Sequence, residues 1–425
     1  MIRIIEGKFA ASRMPDRRAE DARVADVVSS ILRDVRENGD EALYRLSERF
    51  DGARPASIVV PEEEIAAAVE AVGAEFMEIL RAAAENIRAF HKRQIREGYV
   101  IADTPGVILG QRIIPLARAG VYIPGGTAAY PSTVLMDVIP AVLAGVGEVV
   151  MCTPPSRGGT VAPEILAAGK VAGVSRVFRV GGAQAIAAMA YGTESVPRVD
   201  KIVGPGNVYV AEAKRQVFGQ VGIDIIAGPS EILIIADGMS NPAFVAADML
   251  SQAEHDQNAA AVLVTDSRAL ADAVAIEIET QLARLSRAEI ARASIEENGR
   301  VFVVKDLAEA AETSNEIAPE HLELCVEEPF ALLPLVRNAA SVFLGRYCPE
   351  ALGDYFAGPN HTLPTVSTAR FASPLGVEDF VKRAQFTYYT KDALALVAEK
   401  VATFAAREGL TAHARSVLVR TEDIR

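Results

Sequence analysis

The chain has 425 residues, half of them apolar, with 43 Lys and Arg against 56 Asp and Glu for a formal charge of −13. That is a globular composition with room for roughly two to four domains, and it needs no disulfide or metal staple to hold a core. The acidic balance argues against nucleic acid or an anionic membrane as the main partner.

The first twenty residues carry charges every few positions and no apolar core, so no secretory signal is expected. From about Ala19 to Phe50, Val24, Val27, Val28, Ile31, Leu32 and Val35 recur at helical spacing, and Asp51-Gly52 reads as the stop. Pro61 followed by Glu62, Glu63 and Glu64 is a helix start, with proline in the first turn and carboxylates at the positive end of the dipole. This second helix is expected to run through Phe76, Leu80 and Ile87 to about Arg96, with His91 as a solvated position in a charged stretch.

From about Val107 short β-branched runs alternate with alanine-rich stretches. Strands are expected at Val146–Cys152, Arg176–Val180, Asp200–Val203, Ile223–Ala227 and Glu231–Ala236, with helices at Ala162–Ala172, Ala183–Tyr191 and Tyr209–Phe218. A second alternation follows: a helix from Asn241 to about His255, strand Ala260–Thr265, helix Ala269–Arg284 and strand Val301–Val304. Helices at Val377–Lys382 and Lys391–Glu408 close the chain. Such alternation predicts βαβ units and parallel sheets. The apolar stretch near Val138–Gly147 lies between Asp137 and Glu148 and is too short to span a bilayer.

Two α/β stretches side by side suggest a nucleotide-using enzyme with its site in a crevice. Yet there is no G-x-G-x-x-G and no Walker A motif; Gly204-Pro205-Gly206 and Gly145-Val146-Gly147 lack the third glycine. Cys152, Cys325 and Cys348 form no Cys-x-x-Cys pair, which excludes a disulfide framework and a thiolate zinc finger and fits a reducing cytoplasm.

Five histidines carry what chemistry there is. Gln252 and His255, three residues apart on the helix that Asn241-Pro242 starts, share one face. Glu320-His321 follows Pro319, and the two adjacent side chains diverge, so they would address different parts of a cleft. Asp354 and His361 lie in a loop rich in glycine and proline, and Glu408 and His413 follow the last helix, where Gly409 reads as a C-cap. Each pair alone also reads as surface or capping chemistry. Together Gln252, His255, Asp354 and His413 offer two imidazoles, a carboxylate and an amide oxygen. That set suits a borderline divalent ion such as zinc, with manganese or cobalt open, and a substrate atom completing the shell.

Over nearly its whole length the chain resembles the histidinol dehydrogenase family. The matching motifs are Val121–Gly126, Val180–Ile186, Val203–Asn207, Ala227–Glu231, Leu250–His255, Ala318–Leu322, Gly353–Tyr355, Gly358–His361 and Glu408–His413, in the family's order. The resemblance implies an α/β fold of two Rossmann-like parallel-sheet domains lacking the G-x-G-x-x-G fingerprint, with small helical N- and C-terminal segments. In this plan residues 1–20 are an N-terminal dimerisation segment. Residues 21–121 with 230–375 form the first Rossmann-like domain, carrying the metal and catalytic residues. Residues 122–229 form the second, NAD-binding one, and 376–425 a C-terminal helical segment contributing to the partner's site.

The resemblance further implies a cytoplasmic homodimer with shared sites. It would oxidise L-histidinol to L-histidine through L-histidinal, closing histidine biosynthesis, with two NAD⁺ and one Zn²⁺ per subunit. By resemblance the metal ligands are Gln252, His255, Asp354 and His413, the last from the partner. His321 is the base and Glu320 activates water. Substrate contacts are Ser230, Gln252, His255, His321, Asp354, His361, Glu408 and His413; cofactor contacts are Tyr122, Gln184 and Asn207. The alternatives are a family relative oxidising another amino alcohol or diol, a zinc hydrolase with Glu320 as base, an α/β binding protein with a structural metal, and a thiohemiacetal route through Cys152. One departure stands out: after His361 a glycine-rich turn is expected, and Val366-Ser367 occupies it, although valine resists positive φ.

Overall fold

A computed structural model describes residues 1–7, 22–125, 129–226 and 228–422. Gly126 and Ala227 of the motifs above, and most of the N-terminal dimerisation segment, lie outside the described residues. The chain divides into two compact units, Met1–Gln94 with Leu116–Phe380, and Ile95–Pro115 with Val381–Arg425.

Fourteen strands are described: β1 (Arg3–Glu6), β2 (Tyr99–Ile101), β3 (Val107–Pro115), β4 (Arg118–Tyr122), β5 (Glu148–Thr153), β6 (Arg176–Arg179), β7 (Lys201–Val203), β8 (Gly222–Ile223), β9 (Glu231–Ala236), β10 (Ala260–Thr265), β11 (Arg300–Val303), β12 (His321–Cys325), β13 (Ser341–Leu344) and β14 (Val381–Tyr389). The first unit holds two parallel sheets, ordered β6-β5-β4-β7-β8 and β1-β11-β10-β9-β12-β13. The fold is thus the expected α/β arrangement of parallel sheets.

Each sheet is covered on both faces, and the strands show why. In the five-stranded sheet Val121, Val149, Met151 and Val203 face one core, while Val150, Cys152, Phe178 and Ile202 face the other. In the six-stranded sheet Ile232, Ile234 and Leu263 face one side, and Leu233, Ile235, Leu322 and Leu324 the other. Successive side chains alternate across a strand, so a strand apolar at every position must be buried twice. Residues 118–121, assigned above to the first domain, begin the five-stranded sheet as β4. The helix Ala22–Phe50 packs on helices Gly182–Tyr191 and Val208–Val217 of that same sheet.

Several boundaries differ from the sequence reading. The expected helix from Pro61 to Arg96 is two helices, Glu62–Ala71 and Ala74–His91, because Gly73 takes φ +79 between them. His91 is not solvated. It is fully buried on the face that carries Leu80, Ala84 and Ile87; its Nδ1 lies 2.8 Å from Gln94 Oε1, and burial pushes its pKa down. The expected helix Val377–Lys382 is one 3₁₀ turn, Val377–Phe380, followed by strand β14.

The second unit is built on an antiparallel sheet ordered β14-β3-β2 and carries the helices Lys391–Ala395, Ala398–Arg407 and Thr411–Leu418. Tyr99, Val100, Tyr388, Leu396 and Phe404 are exposed on it. Among the described residues no helix is long and apolar enough to cross a membrane.

Candidate active site

The strand order of the six-stranded sheet reverses beside β9: β10 and β11 follow on one side, β12 and β13 on the other. At such a reversal the loops leave a crevice beyond the carboxyl ends of the strands, whereas the candidate residues gather at the opposite, amino ends of β9 and β12. Glu231 opens β9, and Glu320-His321 opens β12, with His321 paired to Ile232. The Glu231 peptide holds both neighbours. Its N–H donates to Glu320 Oε2 at 2.9 Å, and its carbonyl accepts from His321 Nδ1 at 3.1 Å. A carbonyl only accepts, so the proton sits on Nδ1 and the lone pair of a neutral ring sits on Nε2.

That Nε2 is buried without a hydrogen-bond partner and looks onto Glu350 Oε1 at 3.8 Å and Asp354 Oδ1 at 3.7 Å. Glu350 ends the short strand-to-helix connection as the first residue of the turn Glu350–Leu352, and Asp354 follows four residues on, in the π-helical turn Gly353–Ala357. Such widened turns are common at functional sites, because the extra residue re-aims a side chain. Glu350 Oε2 accepts from Ser251 Oγ at 3.2 Å, which brings the end of helix Pro242–Ala253 to the cluster. Gln252 follows in that helix. It is 1% exposed, and its Oε1 has no hydrogen-bond partner.

The charges are strongly coupled. Burial pushes the Glu320 carboxyl up, against the pull of His321 and the Glu231 N–H, to about 7. At His321 burial opposes protonation, but the negative charge of Glu320, Asp354 and Glu350 outweighs it and raises the imidazolium to about 10. Burial and the neighbouring Asp354 raise Glu350 to about 8. Asp354, against its own burial, is held below the usual carboxylate range by His321 and His361. His255 and His361 are pushed down by burial, although both feel the Asp354 charge.

His361 is fixed at both ends: Nδ1 donates to the Asp354 carbonyl at 3.0 Å, and Nε2 lies 3.2 Å from Thr133 Oγ1. His255 borders a cavity of about 330 Å³ with Glu254, Arg287, Tyr130 and Tyr355 on its polar side and Phe76 and Leu80 on its apolar side. Ser230 is half-buried just before β9. The structure thus brings Gln252, His255, Glu320, His321, Asp354 and His361 to one region of the first unit. Glu408, the cap of helix Ala398–Arg407, and His413, on Thr411–Leu418, are exposed in the second unit.

The donor set suits a divalent cation: Gln252 Oε1, Glu350 Oε1 and His321 Nε2 are buried polar atoms without protein partners. The tightest cluster is His321, Glu350 and Asp354, whose ligand atoms lie within 4.8 Å of one another. Glu350 was not singled out from the sequence. Its signal was its place four residues before Asp354, one helical turn away.

The cofactor candidates lie at the carboxyl ends of the strands of the five-stranded sheet, around its reversal between β4 and β7. Tyr122 ends β4, and its phenol accepts from Gly182 N–H at 3.0 Å. Gln184 is buried with Nε2 unpartnered. Asn207 caps helix Val208–Val217, its Oδ1 accepting from Tyr209 and Val210 N–H. Gly204 takes φ +113 in the turn after β7, where a Cβ would overlap the Tyr122 carbonyl oxygen. Cys152 is fully buried, and its thiol is pushed far above its ordinary value, which removes the thiolate a covalent route needs.

Comparison with known proteins identifies the family. Residues 14–421 match the family model described as histidinol dehydrogenase. The chain is 54% identical over 402 residues, 94% of its length and 93% of the relative's, to a histidinol dehydrogenase of Syntrophotalea carbinolica. It is 54% identical over 396 residues, 93% and 92% of the two lengths, to one of Bacillus cereus. The crystal structure of histidinol dehydrogenase from Elizabethkingia anophelis superposes with a TM-score of 0.92 at 37% identity, covering 99% of this chain and 98% of that one. Sequence and fold together make this chain an oxidoreductase of the histidinol dehydrogenase family.

Proposed function

We propose that the chain oxidises L-histidinol to L-histidine in two NAD⁺-dependent steps at a zinc site made by Gln252, His255 and Asp354, with His413 of the partner subunit completing it. The observation that carries the reading is the His321 ring: Nδ1–H is engaged by a peptide carbonyl, and an unpartnered Nε2 faces the cluster. Zinc would supply a Lewis-acidic anchor for the substrate's imidazole and amine, and NAD⁺ the acceptor for the two electrons of each oxidation.

The remaining work falls to side chains. In the first step the alcohol carbon loses hydride and His321 Nε2 takes the hydroxyl proton. The raised basicity of His321 reflects three facing carboxyls; positive charge placed on Asp354 would offset one of them and free the ring to act as a base at neutral pH. The aldehyde carries no second proton to give up until water adds. Glu320, with a pKa of about 7, is suited to take the proton of that water, and the hydrate then yields a second hydride and the acid. His361 and Ser230 would contact the substrate, and Tyr122, Gln184 and Asn207 the dinucleotide. The exposed apolar residues of the second unit suit an interface between two copies.

The test is to follow NADH with purified protein, L-histidinol, NAD⁺ and zinc. Two NADH per histidine support the proposal. Turnover of another amino alcohol but not histidinol, or no reduction of NAD⁺, contradicts it. For the shared site, mixing inactive His413→Ala chains with inactive His321→Asn chains should regenerate activity. No recovery after confirmed subunit exchange would count against it.

A further inference from the structure

Among the described residues three non-glycine residues hold positive φ: Ala318 at +54, Val366 at +51 and Ser367 at +63. A β-branched residue in this region is strained and persists only where its surroundings over-determine it. All three lie in the two loops that bind Glu231. From one side Glu320, two residues after Ala318, receives the Glu231 N–H. From the other, Val366 N–H donates to Glu231 Oε1 at 3.0 Å. The valine turn is pinned from behind as well. Gly228 N–H donates to Thr365 Oγ1 at 2.6 Å, and a Cβ at Gly228 would overlap Val366 Cγ2, so the valine methyl occupies the space that the glycine leaves.

We propose that Glu231 is a positioning residue for the Glu320–His321 pair, and that the Val366–Ser367 turn, seated on Gly228, is the strut that holds it. Glu320 precedes β12 and His321 opens it. Their nearest atoms, Glu320 Oε2 and His321 Nδ1, stand 3.7 Å apart, beyond hydrogen-bond distance, so neither holds the other's angle. The Glu231 peptide does so for both, since its N–H aims Glu320 and its carbonyl aims His321. The peptide is itself located through the side chain, whose carboxylate is tied to a loop from the far end of the chain. Valine keeps the turn where glycine would let it wander: its side chain wedges against Gly228 at the cost of an unfavourable φ. The inference rests on the reading that Glu320 and His321 do the proton work.

Histidinol and histidinal oxidation are measured separately, with zinc content and melting temperature, in E231A, E231Q, G228A, V366G and G228A/V366G, with E320Q as control. E231A should lower kcat for both oxidations, roughly tenfold to hundredfold, with zinc content and KM little changed, as expected for sub-ångström misplacement of both groups. E231Q keeps an acceptor oxygen and should recover most of the rate. G228A should show the same loss by displacing Val366. V366G alone should show a smaller loss, since the turn loses its wedge. G228A/V366G should regain rate over G228A, because the alanine methyl introduced at position 228 fills the space the valine methyl vacates. Wild-type kcat in E231A, with E320Q impaired, overturns the inference. So does a G228A loss that V366G does not restore, which keeps the test open even if E231A fails to fold. An unimpaired E320Q would instead overturn the underlying assignment of Glu320.

Discussion

Both parallel sheets change the direction of their strand order once, beside β4 in the five-stranded sheet and beside β9 in the six-stranded one, where β1 is an edge strand. The cofactor candidates lie at the carboxyl ends of their strands and the acid–base candidates at the amino ends of theirs. The linings of the two sites differ. Between β9 and β12 stand Glu320 and His321, with Glu350 and Asp354 close by, all displaced from their ordinary protonation by burial and by one another. Between β4 and β7 the loops carry Gly204, Pro205 and Gly206, the phenol of Tyr122 and the amides of Gln184 and Asn207. Opposite ends of two similar parallel sheets thus suit two tasks. Dense coupled charge suits proton transfer and metal binding, while bare backbone and neutral amides suit close approach of a dinucleotide.

The comparison can be broken by substitutions that should fail differently on the two sides. The largest effect is expected for His255→Ala, which should lose bound zinc and turnover together; unchanged metal content would remove His255 from the ligand set. His321→Asn should keep zinc and slow the first oxidation by about 10²–10⁴-fold. Glu320→Gln should slow histidinal oxidation more than histidinol oxidation. In the unaltered protein that second step should accelerate as pH rises through about 7, because a carboxyl whose folded pKa is raised holds its proton, and cannot act as a base, until that pH. The limb should vanish in Glu320→Gln, and a flat profile in the unaltered protein would contradict the role. On the cofactor side, Gly204→Ala should lower the melting temperature and raise KM for NAD⁺, since it forces both a positive φ and an overlap with Tyr122, together costing about 1–3 kcal/mol. The smallest effect is expected for Gln184→Ala. Losing one hydrogen bond of about 1 kcal/mol should raise KM for NAD⁺ roughly fivefold and leave KM for histidinol unchanged.

The two sides were also unequally legible. β9 and β10 are recovered from their sequences to the residue, because a strand buried on both faces is an unbroken apolar run. β14 was not. It is largely exposed on the second unit, and its partner β3 lies some 270 residues earlier, so nothing local separates its first residues from a helix. The ligand and base candidates could be read because Gln252 and His255, and Glu320 and His321, stand in short motifs. Glu231 and Glu350 could not, since their roles come from strand register and from a π-helical turn. His91 carried a signal that its charged neighbours masked: it continues the apolar face of Leu80, Ala84 and Ile87. The Val366–Ser367 departure was visible as chemistry, and its positive φ values show that the backbone keeps the turn that glycine would have made easy.

The most direct test of the charged site is a crystal structure of the zinc-loaded protein with anomalous data at the zinc edge. The account predicts one site per subunit bound by Gln252, His255 and Asp354 and closed by His413 of the partner subunit, with His321 Nε2 uncoordinated. Zinc held instead by His321, Glu350 and Asp354 would make His321 a ligand in place of a base, and the account would fail.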